Sequence, residues 1–157
     1  MSKKTNNFPP SFFRGIPNNS EQFIDTLGNP TGNIFRPHSK QVPIDSYYNM
    51  SINWEDDDTV LAFTLDQRNS QDEIKFKGGV AKIEKSEIDK INFEPPFLNS
   101  ISYNRRPIRR NCFKSVKKNL YHGNLLLHEA RFVDKNGRRA FLSRLKRTII
   151  KVYPPKI

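Results

Sequence analysis

A histidine in the second half of the chain has the neighbours that a proton-transfer site needs. His122 follows Tyr121 and precedes Gly123 and Asn124. Imidazole titrates near neutral pH and can act as a general acid or base. A glycine lets a ligand approach the backbone, and an amide offers donors and an acceptor. Side chains alternate along a strand, so His122 and Asn124 would share one face and Tyr121 the other. We therefore predict His122 and Asn124 as candidate catalytic residues, with a structural histidine as the alternative.

A cluster of cations lies just upstream of this histidine. Seven lysines and arginines fall within positions 103–118, and no Asp or Glu occurs from position 95 to 128. They are Arg105, Arg106, Arg109, Arg110, Lys114, Lys117 and Lys118. Guanidinium groups match phosphate oxygens in bidentate geometry, and Tyr103 with other interleaved aromatic residues offers stacking surfaces for unpaired bases. The pattern predicts an anion-binding surface, to which Arg14 would add. The alternative is that the aromatic rings face the core while the cations face water.

The charge of the chain is distributed unevenly. Residues 1–97 hold 11 Lys and Arg and 14 Asp and Glu, a net charge of −3, whereas residues 98–157 hold 16 and 2, a net charge of +14. Such asymmetry is typical of proteins that meet a polyanion or an acidic partner. An internal explanation, in which the acidic part neutralises the basic part, can account for only a fraction of the excess. We therefore predict a nucleic acid or an acidic protein as partner, within a hetero-complex.

Metal and cofactor chemistry has little support in the sequence. His38, His122 and His128 have spacings that match no metal-binding motif. The acidic run at positions 55–58 precedes an apolar stretch, and carboxylates at a helix start cap N–H groups and complement the helix dipole. The sequence contains no P-loop, dinucleotide-binding or Ser-His-Asp signature. We predict neither a metal nor a cofactor.

Cysteine content and hydropathy indicate the compartment. Cys112 is the single cysteine, which excludes an intrachain disulfide and fits a reducing environment. The N-terminal residues contain cations but no apolar segment of the kind that signal peptides have. No apolar run approaches the roughly 18 residues of a membrane span. We therefore predict a cytoplasmic protein without a membrane partner.

Hydrophobic patterning predicts one α+β domain at 11–157, after a flexible arm at 1–10. Its mixed or antiparallel sheet would have about five strands. Runs rich in β-forming residues predict them at 11–16, 46–54, 73–83, 100–103 and 120–128. The charge boundary at 93–98 is the candidate seam of an alternative architecture with two subdomains.

Helical periodicity is weaker and is confined to a few segments. It predicts a helix at 57–67, a short one at 86–91 and a basic amphipathic one at 139–148. Asp134 to Gly137 has the composition of a turn. The β-branched tail at 148–153 competes for a terminal strand.

Together these features favour binding over catalysis. The leading hypothesis is a protein that binds RNA, or another nucleic acid, through its basic C-terminal part. The alternative is a metal-independent enzyme that acts on a nucleotide or phosphodiester. In that case His122 would be the general acid or base, and Arg14, Arg105 or Arg106 would neutralise a phosphate.

Overall fold

Strand pairing is antiparallel throughout and joins six strands into one sheet. The computed structural model describes residues 7–109 and 118–156. The strands are β1 (Ser11–Ile16), β2 (Tyr47–Trp54), β3 (Gly79–Glu84), β4 (Ile101–Arg105), β5 (His122–His128) and β6 (Ile149–Tyr153). Their order across the sheet is β4-β5-β2-β1-β3-β6.

In the part of the chain that the structure describes, three short helices and two single turns of 3-10 helix connect these strands. The helices are α1 (Val60–Leu65), α2 (Lys85–Ile91) and α3 (Lys135–Lys146), and the 3-10 turns are Gly32–Phe35 and Glu129–Phe132. The predicted fold class is confirmed, since the chain forms a single α+β domain. The sixth strand, β6, is the tail that competed with a helix in the sequence pattern.

Strands from both sides of the charge boundary belong to the same sheet. β2 precedes the boundary and β4 and β5 follow it, yet β5 lies between β4 and β2. Glu94, within the boundary segment, forms an ion pair with Arg144 of α3 at 2.7 Å. Positions 1–6 of the predicted arm lie outside the described residues, and the ring of Phe8 packs on Trp54 with centroids 4.8 Å apart.

One face of the sheet, here called the core face, carries the main hydrophobic core. Met50, Ile52 and Trp54 alternate along β2 and pack there with the buried residues of α2, α3 and the first 3-10 turn. This alternation places every second residue of β2 on the opposite side of the sheet. The core face therefore packs against α2 and α3.

The described residues cover only part of the opposite side, here called the second face. Phe13 and Val80 pack there against Val60 of α1 and Phe76 of the loop 66–78. This small cluster lies over β1 and β3. Ser51 of β2 and Ser102 of β4 point to the same side and are exposed.

The loop 66–78 corrects the strand predicted at 73–83, because β3 begins only at Gly79. Lys75 donates its backbone N–H to the carbonyl oxygen of Gln67 at 2.8 Å. The ring of Phe76 lies on Gly15, where an added Cβ would come within 2.1 Å of a ring carbon. This contact between distant segments overrides the local alternation, and the segment lies on the sheet instead of extending it.

The turn predicted at Asp134–Gly137 is also wrong, because Asp134 is the N-cap of α3. Its carboxylate accepts the backbone N–H of Gly137 at 2.7 Å. An Asp side chain can satisfy neighbouring N–H groups in a turn or at a helix start, so its local pattern fits both. The helix consequently begins at Lys135 and ends early enough for β6 to form.

Trp54, at the end of β2, is the largest fully buried side chain. Its indole Nε1 donates to the carbonyl oxygen of Asn104 in β4 at 3.0 Å. The ring also lies over Gly123 of β5, which separates β2 from β4. One side chain therefore contacts all three strands at this end of the sheet.

We expect Gly123→Ala to destabilise the fold by about 1–3 kcal/mol, the usual cost of overpacking a core. The new Cβ would lie 2.3 Å from Trp54 Nε1 and 2.4 Å from the Asn104 carbonyl oxygen. Equilibrium unfolding in urea measures the change. Gly137→Ala is the control, because its Cβ would lie 3.3 Å from the Asp134 carboxylate and alanine favours a helix. A Gly123→Ala protein as stable as the wild type would contradict the packing described.

Candidate functional site

A pocket of about 440 Å³ opens on the second face between α1, the loop 66–78 and the strands β2 and β5. Its walls include Phe13, Phe63, Phe76 and Ile108. Small-molecule sites commonly have volumes of about 300–1,000 Å³, apolar walls and a few placed polar groups. The pocket therefore has the size and the walls of a ligand site.

His122, the first residue of β5, lines this pocket and is partly buried. Its Nδ1 lies 2.9 Å from the carbonyl oxygen of Arg106, which can only accept, so Nδ1 carries the proton. Nε2 is then an acceptor and faces the Ser51 hydroxyl at 3.3 Å. Burial lowers the pKa of His122, the hydrogen bond to Arg106 opposes this, and the charge of Lys75 lowers it further. We infer a neutral imidazole at pH 7.

A chain of side-chain hydrogen bonds crosses the floor of the pocket. The Thr64 hydroxyl donates to the carbonyl oxygen of Val60 at 2.8 Å, so its oxygen accepts from Asn53 Nδ2 at 2.9 Å. The same Nδ2 donates its second hydrogen to Gln67 Oε1 at 2.6 Å. Gln67 must therefore direct its Nε2 group away from Asn53.

The other end of this chain is fixed in the same way. The backbone N–H of Tyr121 can only donate, and it donates to Asn119 Oδ1 at 3.0 Å. Asn119 Nδ2 in turn donates to Asn53 Oδ1 at 2.8 Å. Backbone groups at both ends therefore determine the direction of every hydrogen bond in the chain.

The charged side chains of the pocket are predominantly cationic. Arg68, Lys75 and Lys118 line it, together with Asp66, which is paired with Lys156. Desolvation lowers the pKa of Lys75, and the charge of Arg14 lowers it further. Among the described residues, Lys75 forms no ion pair with a carboxylate. The pocket thus offers positive charge that an anionic ligand would neutralise.

Arg14, a predicted anion-binding residue, lies where β1 and β2 separate. These strands pair only at Phe12–Trp54 and Phe13–Asn53. Beyond that point Arg14 donates to the carbonyl oxygens of Ile34 at 2.9 Å and Ser51 at 2.7 Å. Burial lowers the pKa of Arg14 to about 10, so it is still charged at neutral pH. Arg14 therefore bonds to backbone carbonyl groups where β1 and β2 separate. Besides desolvation, its charge also lowers the pKa of Lys75 in the pocket.

The cations of the predicted cluster differ in whether they form ion pairs. The Nη2 group of Arg105 donates to both carboxylate oxygens of Asp56, at 2.6 and 2.7 Å, which partly neutralises it. Within the described part of the chain, Arg106, Arg109 and Lys118 form no ion pair. The other three predicted cations lie outside the described residues: Arg110, Lys114 and Lys117.

Tyr103 and Asn124 contact other protein groups and do not line the pocket. Tyr103 packs against Trp54 on the core face and donates its hydroxyl to Asp89 at 2.7 Å. Asn124 shares the second face with His122, as strand alternation predicts, but its amide donates to Asn104 at 3.1 Å. The structure therefore does not bring Asn124 and His122 together around a ligand.

A row of polar side chains continues from the pocket along the second face. This polar strip consists of Tyr47, Asn49 and Ser51 of β2, His122, Asn124 and His128 of β5, and Ser102 and Asn104 of β4. Leu126 of β5 lies on the same face, between Asn49 and Ser102, and interrupts the strip with one apolar side chain. The strip spans six residue steps of β5, from His122 to His128, roughly 20 Å at about 3.3 Å per residue. At its far end the rings of Tyr47 and His128 meet edge to face with centroids 5.0 Å apart.

The cations of α3 lie on the other side of the sheet. Phe141, Leu142 and Leu145 of this helix belong to the core-face cluster. Lys135, Arg139 and Arg147, in and directly after the helix, are exposed. The positive charge of the C-terminal part is therefore divided between two surfaces.

Comparison with known proteins finds no matching family model, curated protein or solved structure. Among the described residues, no three His, Cys, Asp or Glu side chains gather as a metal site requires. None of the helices in that part of the chain has the length and apolar character needed to cross a bilayer.

Several pocket residues were not among the sequence predictions. Asn53, Gln67 and Lys75 belong to no motif, and they meet only because α1 and the loop 66–78 lie on the second face. Ser51 alternates with the apolar residues of β2, which was the one available signal for it. A polar position in an otherwise apolar strand can thus indicate a site on the uncovered side of a sheet.

We expect His122 to titrate below the ordinary histidine pKa and to be neutral at pH 7 with its proton on Nδ1. Lys75→Met should raise this pKa, because it removes a positive charge that disfavours the imidazolium. Nitrogen chemical shifts recorded against pH report both the tautomer and the pKa. Lys77→Met is the control, since Lys77 is exposed and paired with Glu73. An unchanged His122 titration in Lys75→Met would refute the electrostatic coupling.

Proposed function

We propose that this protein binds single-stranded RNA across the polar strip of the second face. The observation that carries the proposal is the half of the second face that residues 7–109 and 118–156 leave partly exposed, with polar and aromatic side chains and cations beside it. Antiparallel sheets with aromatic residues on an open face are a common platform for unpaired bases, and cations beside them contact the phosphates. Tyr47 and His128 would offer ring surface at one end of the strip, and the pocket lies at the other.

The electrostatic part of the binding would come from one edge of this surface. Arg106 and Arg109 follow β4, and Lys118 lines the pocket. They form no ion pair within the described residues. Arg105 would contribute less, because Asp56 already neutralises part of its charge. The net charge of +14 in residues 98–157 supports a polyanionic ligand.

The second charged surface supports action within a larger complex. The exposed cations of α3 lie across the sheet from the strip and could contact an acidic protein or another segment of nucleic acid. Cytoplasmic action is part of the proposal and is supported by the single cysteine. Pull-downs with and without nuclease separate a direct acidic protein partner from one that nucleic acid bridges.

We expect Arg106→Ala with Arg109→Ala to weaken binding of all single-stranded RNA sequences and to reduce its salt dependence. Each lost phosphate contact should lower the slope of log K against log salt by about 0.7. Tyr47→Ala should cost about 1–3 kcal/mol if its ring stacks on a base. Fluorescence anisotropy of labelled oligonucleotides measures both effects.

The matched control for this charge change lies on the other side of the sheet. Arg139→Ala with Arg147→Ala removes the same charge from exposed positions of α3 and its C-cap. This pair should change RNA affinity far less than the pair that follows β4. Equal losses from the two pairs would exclude binding along the polar strip, and no binding to RNA at low salt would exclude the proposed function.

A second candidate function is supported by the contact between His122 and Ser51. The unprotonated Nε2 lies 3.3 Å from the Ser51 hydroxyl oxygen beside a cationic pocket. This arrangement suits a general base acting on a nucleotide or phosphodiester, with Lys75 stabilising developing negative charge. Metal-independent turnover of such substrates that His122→Ala abolishes, while RNA binding persists, would establish the enzyme. Unchanged turnover in His122→Ala would reject it.

A further inference from the structure

We propose that the pocket seats one uridine nucleotide of the bound strand, with its phosphate at the cationic rim and its base between the apolar walls. This inference rests on the proposed function in one respect, namely that the ligand is a unit of RNA. It goes further because it assigns a base identity to a site. Three observations carry it: the direction of the floor hydrogen bonds, the excess of positive charge and the shape of the walls.

At Gln67 the floor presents hydrogen-bond donors to a ligand. Thr64 and Asn53 are oriented by the Val60 carbonyl group, and Gln67 uses its Oε1 to accept from Asn53 at 2.6 Å. Its Nε2 therefore faces away from Asn53. Among the described residues, this Nε2 group has no hydrogen-bond acceptor, and Gln67 lines the pocket. Two N–H donors are left for a ligand that supplies acceptors.

The rim adds further donors and positive charge. Lys75 and Lys118 carry ammonium groups, which only donate, and neither is paired with a carboxylate in the described part of the chain. Asp66, the acidic side chain of the lining, is bound to Lys156. A phosphate group supplies the negative charge and the oxygen acceptors that match this rim.

The walls select a flat apolar group between the rim and the floor. Phe63 and Phe76 line the pocket with Ile108, and aromatic walls favour the face of a nucleobase. Uracil presents a carbonyl oxygen at position 4 and an N3–H donor, whereas cytosine presents an amino donor at position 4 and an unprotonated N3 that accepts. With the phosphate at the rim, the proposal places position 4 of the base at the Gln67 amide. His122 Nε2, an acceptor in the same lining, suits the N3–H of uracil and not the N3 of cytosine. A donor opposite the Gln67 amide would leave both groups unpaired, which costs about a factor of ten in affinity. Uracil therefore matches the pocket better than cytosine.

Calorimetric titration of the full chain with small ligands tests the assignment. The probes are uridine monophosphate, cytidine monophosphate, uridine and inorganic phosphate. We expect uridine monophosphate to bind about tenfold more tightly than cytidine monophosphate, and more tightly than uridine or phosphate alone. Equal affinities for the two nucleotides, or no binding of either, would overturn the proposal.

Two substitutions locate the binding in this pocket. Gln67→Glu keeps the oxygen that accepts from Asn53 but replaces the two N–H donors with an acceptor, so the preference for uridine monophosphate should disappear. Lys75→Met should weaken the nucleotide more than the nucleoside, because it removes a phosphate contact. Lys77→Met is the control and should behave as the wild type. A uridine preference that survives Gln67→Glu would overturn the assignment of the floor.

Binding of RNA by the same samples distinguishes the two proposals. If RNA binds and depends on Arg106 and Arg109, but mononucleotides do not bind, the pocket assignment fails and the proposed function stands. If uridine monophosphate binds with the expected pattern and RNA does not, the RNA proposal fails and the nucleotide site stands. U-rich RNA should also bind more tightly than C-rich RNA, and Gln67→Glu should abolish that difference.

Discussion

The absence of a side chain at position 123 determines how β2, β5 and β4 pack at one end of the sheet. The Trp54 indole occupies the space above Gly123 and reaches across β5 to the Asn104 carbonyl group. Asn53 and His122 directly precede Trp54 and Gly123 in the chain. They are register partners, and their side chains lie on the opposite side of the sheet. A glycine that suggested room for a ligand therefore makes room for a core side chain. The pocket lies on the other face of the same strands.

The two faces of the sheet carry different kinds of side chain. Buried hydrophobic residues of β2 and β5 hold α2 and α3 on the core face, so most of the hydrophobic stabilisation lies there. On the second face the described residues form a small cluster around Phe13 and Val80. Polar side chains can therefore occupy β2 and β5 on that side without disturbing the core. This separation lets a domain of 157 residues carry an extended polar surface.

Sequence patterns predicted the strands well where the signals were local. β1, β2 and β5 lie where β-forming residues indicated them, and strand alternation placed His122 and Asn124 on one face. Lys75 and Gln67 could not be predicted as neighbours of His122, because their positions depend on Phe76 packing against Gly15. Charge counts along the chain also do not show on which side of the sheet each charge lies. They grouped α3 with Lys118, although the sheet lies between that helix and the pocket.

The hydrogen-bond chain beneath the pocket has no second arrangement of equal quality. Turning the amide of Asn53 would place its Oδ1 against Gln67 Oε1 and its Nδ2 against Asn119 Nδ2. The backbone groups of Val60 and Tyr121 cannot reverse their roles. The orientation of the Gln67 amide is therefore settled when the protein folds, before any ligand arrives. A ligand with matching acceptors meets a rigid partner and loses little conformational entropy on the protein side. A mismatched ligand cannot induce a fit, because reversing one amide would break the whole chain.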